Sequence, residues 1–205
     1  MNAQPATDAC TTPTSAPAHL RRIVLTGFMG AGKTTVGRLL AARLRWDFLD
    51  LDAYIESRVG LSVPSIFAIH GEPRFRQLES AALASALGRT DLVLALGGGA
   101  PETLTNRLLL EQTPATSTIF LDAPFPALFD RCMMQALNPG SSTPTPAPPE
   151  ESRPLLADPV AAEARFLARQ PIYRRLARHT IPTAHLTPEQ TVTTLLTTLH
   201  HPSRR

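Results

Sequence analysis

Two hydrophobic periods alternate along this chain. Short apolar runs at 23–26, 48–51, 92–96, 118–121 and 180–182 each predict a strand. Between them, apolar residues fall at helical spacing. Val36, Leu39, Leu40 and Leu44 mark one face of a helix predicted over 33–45. Further helices are predicted over 54–59, 63–70, 75–87, 101–111, 124–136, 159–177 and 188–200, with Pro101 at a tolerated first position. The run LVLAL at 92–96 holds no polar residue, as expected of a strand buried on both faces. Strand and helix alternating at this spacing imply an α/β fold: a parallel sheet with helices on both faces. No internal repeat is visible.

Three stretches fall outside the pattern. Residues 1–20 are rich in Ala, Thr and Pro without periodicity and predict a disordered tail. The run NPGSSTPTPAPPEE at 138–151 interrupts the folded part, and its prolines predict an exposed loop. Residues 201–205 form a ragged end. What remains, 21–200, is long enough for one domain with its own core. No apolar run approaches about 18 residues, so no membrane helix is expected. Nothing before Ile23 resembles a secretory signal. Cys10 and Cys132 have neither zinc nor redox spacing, and Cys10 lies in the tail. A stabilising disulfide is therefore not expected, which fits a reducing cytoplasm.

Charge adds one clue. The net charge is +3 and the pI near 9.4, a balance that can signal nucleic-acid binding. Here the arginines are scattered, aromatics make up only 5%, and no aromatic–basic stretch appears, so no nucleic-acid partner is expected. The cations are 19 arginines and a single lysine, Lys33. A compact point charge is needed at that position, or an arginine-biased composition has left one lysine by chance.

The residues around Lys33 decide between these. Gly27-Phe28-Met29-Gly30-Ala31-Gly32-Lys33-Thr34 matches the phosphate-binding pattern G-x-x-x-x-G-K-[ST]. It follows a predicted strand and opens a predicted helix, the context the pattern requires. Glycines let backbone N–H groups turn towards phosphate oxygens, and the helix adds its positive end. Lys33 would reach the β- and γ-phosphates, and Thr34 would offer its hydroxyl to Mg²⁺. The loop implies a nucleotide but not its fate, since GTPases, ATPases and kinases share it.

The next clusters bear on the acceptor. Asp50 and Asp52 sit at the end of the second predicted strand, the ligand edge of an α/β sheet. In extended chain, residues two apart point the same way, so the carboxylates are expected to converge beside the nucleotide. One could support Mg²⁺ through water and the other could take a proton from an attacking hydroxyl. A helix N-cap at Asp52 would use the same residue for structure alone. In GEPRFRQLE, Arg76 and Glu79 lie at i and i+3, so the glutamate could orient the guanidinium towards an anion, or the two could form a surface ion pair. Gly97-Gly98-Gly99 ends the buried strand, where one glycine would suffice for a plain turn.

The ordered set GFMGAGKTTVGR, FLDLD, IF…GEPRFRQLE, LALGGGA, RPLL and RQPIYRRLA resembles the shikimate kinase family over about residues 22–199. The resemblance implies a three-layer α/β/α domain of the nucleoside-monophosphate-kinase type with a five-stranded parallel sheet. It implies transfer of the γ-phosphoryl of ATP to the 3-hydroxyl of shikimate, on the path to chorismate, in a protein that is usually monomeric. Position by position, it assigns ATP contacts to Gly30, Ala31, Gly32, Lys33, Thr34 and Thr35. It assigns Mg²⁺ support to Thr34 and, through water, Asp50, and binding of the shikimate hydroxyls to Asp52. Arg76 and Arg169 would bind the shikimate carboxylate, Glu79 would orient Arg76, and Gly97, Gly98 and Gly99 would line the acceptor pocket. Arg153 would be the lid arginine, with Arg131 and the segment near Pro188 flanking adenine. The chain departs from the pattern in its Pro-rich 138–151 expansion, its N-terminal tail and Pro64, none of which removes a named residue. Two other readings compete: a related kinase of gluconate or another polyol acid, and a nucleotide-binding regulatory module without catalysis. The second predicts loss of Lys33, Asp52 or Arg153, and all three are present.

Overall fold

The computed structural model describes residues 15–137 and 158–200. Cys10, the 138–151 loop, Arg153 and residues 201–205 lie outside them.

Five strands form one sheet in the order β2-β3-β1-β4-β5, and every pairing is parallel. They are β1 (Arg22–Thr26), β2 (Asp47–Asp50), β3 (Leu92–Ala95), β4 (Thr116–Asp122) and β5 (His179–Pro182). The helices are α1 (Lys33–Leu44), α2 (Leu51–Val59), α3 (Val63–Leu87), α4 (Leu104–Gln112), α5 (Phe125–Leu137), α6 (Pro159–Leu176) and α7 (Pro188–His200).

Side-chain alternation splits the core into two layers. Ile23 and Leu25 of β1, with Val93 of β3, join Val36 and Leu40 of α1 and Val192, Leu195 and Leu196 of α7 on one face. Val24, Leu92 and Leu94 join Leu51, Ile55, Ile66, Phe75 and Leu83 of α2 and α3 on the other. Both faces are thus covered, which is why β1 and β3 read as unbroken apolar runs. Leu20, just before β1, packs into the first layer.

Element boundaries moved where capping overrides period. The strand predicted over 48–51 ends at Asp50, whose carboxylate accepts from the N–H of Ala53 and so starts α2 at Leu51. The helices predicted over 63–70 and 75–87 join into α3, with a kink at Gly71 (φ 75°, ψ 167°). Pro64 sits in the first turn of α3 behind the N-cap Ser62, where proline is tolerated. Pro101 lies in a separate 3₁₀ turn (Ala100–Glu102) ahead of α4.

Because all strands are parallel, the ends of β1, β2, β3 and β4 share one edge. The chain leaves β1 for β2 on one side and later crosses from β3 to β4 on the other. β1 therefore sits at the switch point where α/β folds hold ligands.

Candidate active site

The loop after β1 carries the phosphate-binding pattern. Gly32 is the N-cap of α1 in left-handed backbone (φ 85°), and no side chain caps the first turn. The leading N–H groups of α1 thus remain available to an anion, with the positive helix end behind them. Gly30 also has positive φ (74°). A side chain there would collide with the carbonyl of Leu128 and lie 2.9 Å from Cys132 Sγ, so α5 is packed against the back of the loop. Ala31 is buried and Thr35 exposed on α1.

Lys33 Nζ donates to the carbonyl oxygens of Gly27 (2.8 Å) and Phe28 (3.0 Å), which hold it across the loop. Burial lowers its pKa from the ordinary lysine value, and Asp52 and then Asp50 act in the opposite direction. Thr34 Oγ1 donates to Asp50 Oδ2 at 2.8 Å. These two hard oxygen groups suit Mg²⁺, which takes few protein ligands and shares phosphates and waters. Among the described residues no cluster of three or more His, Cys, Asp or Glu could hold a metal ion.

Asp50 and Asp52 both act on Lys33, but not for the reason of strand alternation. Asp52 lies in the first turn of α2, not in extended chain, and it is Asp50 that serves as the N-cap. The turn of the helix carries Asp52 towards the end of β3. Desolvation raises its pKa to about 7, Asp50 and Glu79 add to the rise, and Lys33 opposes it. A carboxylate near neutrality is matched to taking a proton at physiological pH.

Two of the three glycines have a geometric reason, and all three positions face polar groups. An added Cβ on Gly97 would lie 2.5 Å from Asp52 Oδ1, and one on Gly99 would lie 2.7 and 2.8 Å from Arg76 Nη2 and Nη1. At Gly98 it would lie 3.6 Å from Arg169 Nη1 and 3.7 Å from the Tyr173 hydroxyl. Three polar groups from α2, α3 and α6 are therefore laid on three successive backbone positions after β3.

Arg76 is fixed from both sides. Its Nη1 donates to both oxygens of Glu79 (3.2 and 3.1 Å), and its Nη2 to Glu72 Oε1 (3.0 Å). Glu79 is 1% exposed; desolvation raises its pKa, and Arg76 works against that rise. The pair expected from i, i+3 spacing is thus enclosed and not a solvated surface pair.

Several participants were not anticipated. Asn106 of α4 is fully buried; its Nδ2 donates to Ala100 O (2.9 Å) and Glu79 Oε2 (3.4 Å), joining the arginine's support to the turn after the glycines. Arg107 donates to the carbonyls of Pro101 (2.7 Å) and Glu102 (2.9 Å) in the same turn. Tyr173 donates to Gly98 O at 2.6 Å, and burial raises its pKa. It lies one helical turn beyond Arg169, a spacing that could have singled it out. Glu102 Oε2 accepts from Arg169 Nη2 at 2.6 Å and stands 3.7 Å from Arg76 Nη2. Arg174 (3.0 Å) and Gln170 (3.4 Å) donate to Asp122 and so tie α6 to the end of β4.

At the other side of the phosphate loop, Arg131 of α5 donates to the carbonyls of Thr183 and Ala184, the latter at 3.2 Å. It therefore reaches the connection between β5 and Pro188, the first residue of α7. Lys33, Thr34, Asp50 and Asp52 meet at one end of the site, and Arg76, Glu79, Gly97–Gly99 and Arg169 at the other.

A phosphate loop on the central strand of a parallel sheet, facing a carboxylate near neutrality, defines a P-loop phosphotransferase. The shikimate kinase family matches residues 29–200. A shikimate kinase of Psychrobacter cryohalolentis is 38% identical over 185 residues, covering 89% of this chain and 90% of that one. The crystal structure of shikimate kinase from Bacteroides thetaiotaomicron superposes with a TM-score of 0.70 at 31% identity, covering 88% and 98% of the two chains. Shikimate kinase from Acinetobacter baumannii in complex with shikimate gives 0.67 at 34%, covering 89% and 93%. The chain belongs to the shikimate kinase family.

Proposed function

We propose that this chain transfers the γ-phosphoryl of ATP to the 3-hydroxyl of shikimate, giving shikimate 3-phosphate and ADP on the route to chorismate. The observation that carries the reading is Asp52. This carboxylate lies against Gly97, interacts electrostatically with Lys33, and stands beside two arginines laid on Gly98 and Gly99.

The residues divide the work. The backbone N–H groups of Gly30 to Thr35 cradle the phosphates, and Lys33 neutralises charge as it develops on the transferring group. Thr34 and, through water, Asp50 would hold the Mg²⁺ that accompanies ATP, which would supply further charge neutralisation on the phosphates. Asp52 orients the 3-hydroxyl and accepts its proton as the new O–P bond forms and the bond to the ADP oxygen breaks. Arg76 and Arg169 grip the acceptor carboxylate, with Glu79 and Asn106 holding Arg76 in place. Arg131 and the segment at Pro188 flank adenine, and Arg153 clamps the γ-phosphate. The protein works as a monomer in the cytoplasm, without nucleic-acid or membrane partners. No helix among the described residues is long and apolar enough to cross a membrane.

The test is ADP release from Mg-ATP with shikimate, with gluconate and with no acceptor. Shikimate-dependent release at least about 10²-fold above the other two is expected. Equal release with gluconate would favour the polyol-acid reading, and release independent of any acceptor would overturn the kinase reading.

A further inference from the structure

The two acceptor arginines already share a carboxylate that belongs to the chain. Glu102 Oε2 lies 2.6 Å from Arg169 Nη2 and 3.7 Å from Arg76 Nη2. It stands on the 3₁₀ turn that follows the triple glycine, whose last two positions face Arg169 and Arg76. Resting on the reading of Arg76 and Arg169 as the acceptor-carboxylate site, we propose that Glu102 is a specificity-determining residue. It is a built-in competitor that holds the acceptor's place between the two guanidiniums and is displaced when an anionic acceptor binds.

Charge and exposure support displacement over co-residence. The cluster sets two guanidiniums, Arg76 and Arg169, against three carboxylates, Glu72, Glu79 and Glu102, a formal balance of −1. A bound acceptor carboxylate would make that −2 in a partly desolvated place, where like charges repel strongly. One carboxylate must withdraw. Glu79 cannot, being 1% exposed and held by Asn106. Glu72 is exposed but engages only Arg76, from its own helix one turn back. Glu102 alone of the three contacts both arginines, and at 37% exposure it has water to turn into. Its turn need not move, because Arg107 and Asn106 hold the backbone at Glu102 O, Pro101 O and Ala100 O, not the carboxylate.

A self-competitor has two consequences. It lowers apparent affinity for the acceptor by the fraction of molecules in which the arginines are occupied. It also selects by charge, since a neutral polyol cannot replace the carboxylate it would evict, and the guanidiniums stay satisfied without it.

The experiment compares Glu102→Gln and Glu102→Ala with wild type in shikimate kinetics and in direct shikimate titration by calorimetry, with shikimate methyl ester as the neutral acceptor. The glutamine variant is expected to lower the shikimate KM and Kd by about three- to fivefold, the scale of a half-exposed ion pair. kcat and the KM for ATP should hold, and the ester should show no gain. The alanine variant should move in the same direction, so a folding defect in one variant is caught by the other. A shikimate KM that rises or stays constant in both variants would overturn the proposal and leave Glu102 as a brace for Arg169. Arg169→Gln separates the underlying reading: it should raise the shikimate KM. If it does and Glu102→Gln still brings no gain, only the competitor role fails. If Arg169→Gln leaves the shikimate KM unchanged, the acceptor-arginine reading itself falls, and this proposal with it.

Discussion

The two ends of the site are built by different means. The phosphate end is built around one contiguous stretch, residues 27–34, which brings together backbone N–H groups, a helix terminus and one ammonium, with Asp50 bonded to Thr34 and α5 packed behind Gly30. The acceptor end is assembled from α2, α3, the turn after β3, α4 and α6, and its contacts span long separations: Glu79 to Asn106 across 27 residues, Glu102 to Arg169 across 67, and Gly98 to Tyr173 across 75. A local device tolerates change elsewhere in the fold. An assembled one depends on every element that carries it, so substitutions at the acceptor end should spread their effects across affinity and stability, whereas those at the phosphate end should strike turnover.

The largest effect is expected at Lys33. Lys33→Ala removes the charge proposed to balance the transferring phosphoryl and should cost at least about 10²-fold in kcat, read by coupled ADP release. Near wild-type turnover would break the phosphate side of the comparison.

Asp52 comes next because it serves both ends. Asp52→Asn keeps shape and loses basicity, so kcat should fall by about 10²-fold or more while MgADP binding by calorimetry holds. In wild type the acidic limb of kcat/KM should lie near pH 7, since the proposed proton acceptor acts as the ionised carboxylate. Stability runs the other way. The folded pKa of about 7 exceeds the ordinary aspartate value of 3.8, so the native state binds more protons between them and loses stability as pH rises through that window. Asp52→Asn removes the loss and should melt several degrees higher than wild type at pH 8, with little difference near pH 4. An equal or lower melting temperature at pH 8 would show that Asp52 is not held in a desolvated place.

Asn106 should give the smallest effect and the most mixed. Asn106→Ala strips a buried link between Glu79 and the turn, at about 1–3 kcal/mol of stability by thermal melting. It should also raise the shikimate KM a few-fold as Arg76 loses its support. Lost stability with the shikimate KM unchanged would make Asn106 a core residue only.

The same contrast explains what could be read from the chain. The phosphate loop was legible because its parts are consecutive and flanked by the strand and helix it needs. The parallel sheet was legible from the unbroken apolar runs of β1 and β3. Asp50 and Asp52 do converge beside Lys33, but strand alternation is the wrong reason for their meeting, because the capping bond from Asp50 turns the chain helical one residue later. Glu79 was found because helix spacing ties it to Arg76. Asn106 and Glu102 carried no local signal, as their partners lie on other elements. Tyr173 does carry one, four residues after Arg169, but it stands among the arginines of RQPIYRRLA, whose charge dominates the motif.

The division between the ends is tested most directly by Arg76→Lys, with initial rates measured over a grid of ATP and shikimate concentrations. An ammonium cannot reproduce the planar fork that Glu79 and Glu72 orient. The account predicts a shikimate KM raised by about tenfold, with the KM for ATP nearly unchanged. Equal loss for both substrates, or a shikimate KM that does not move, would contradict it.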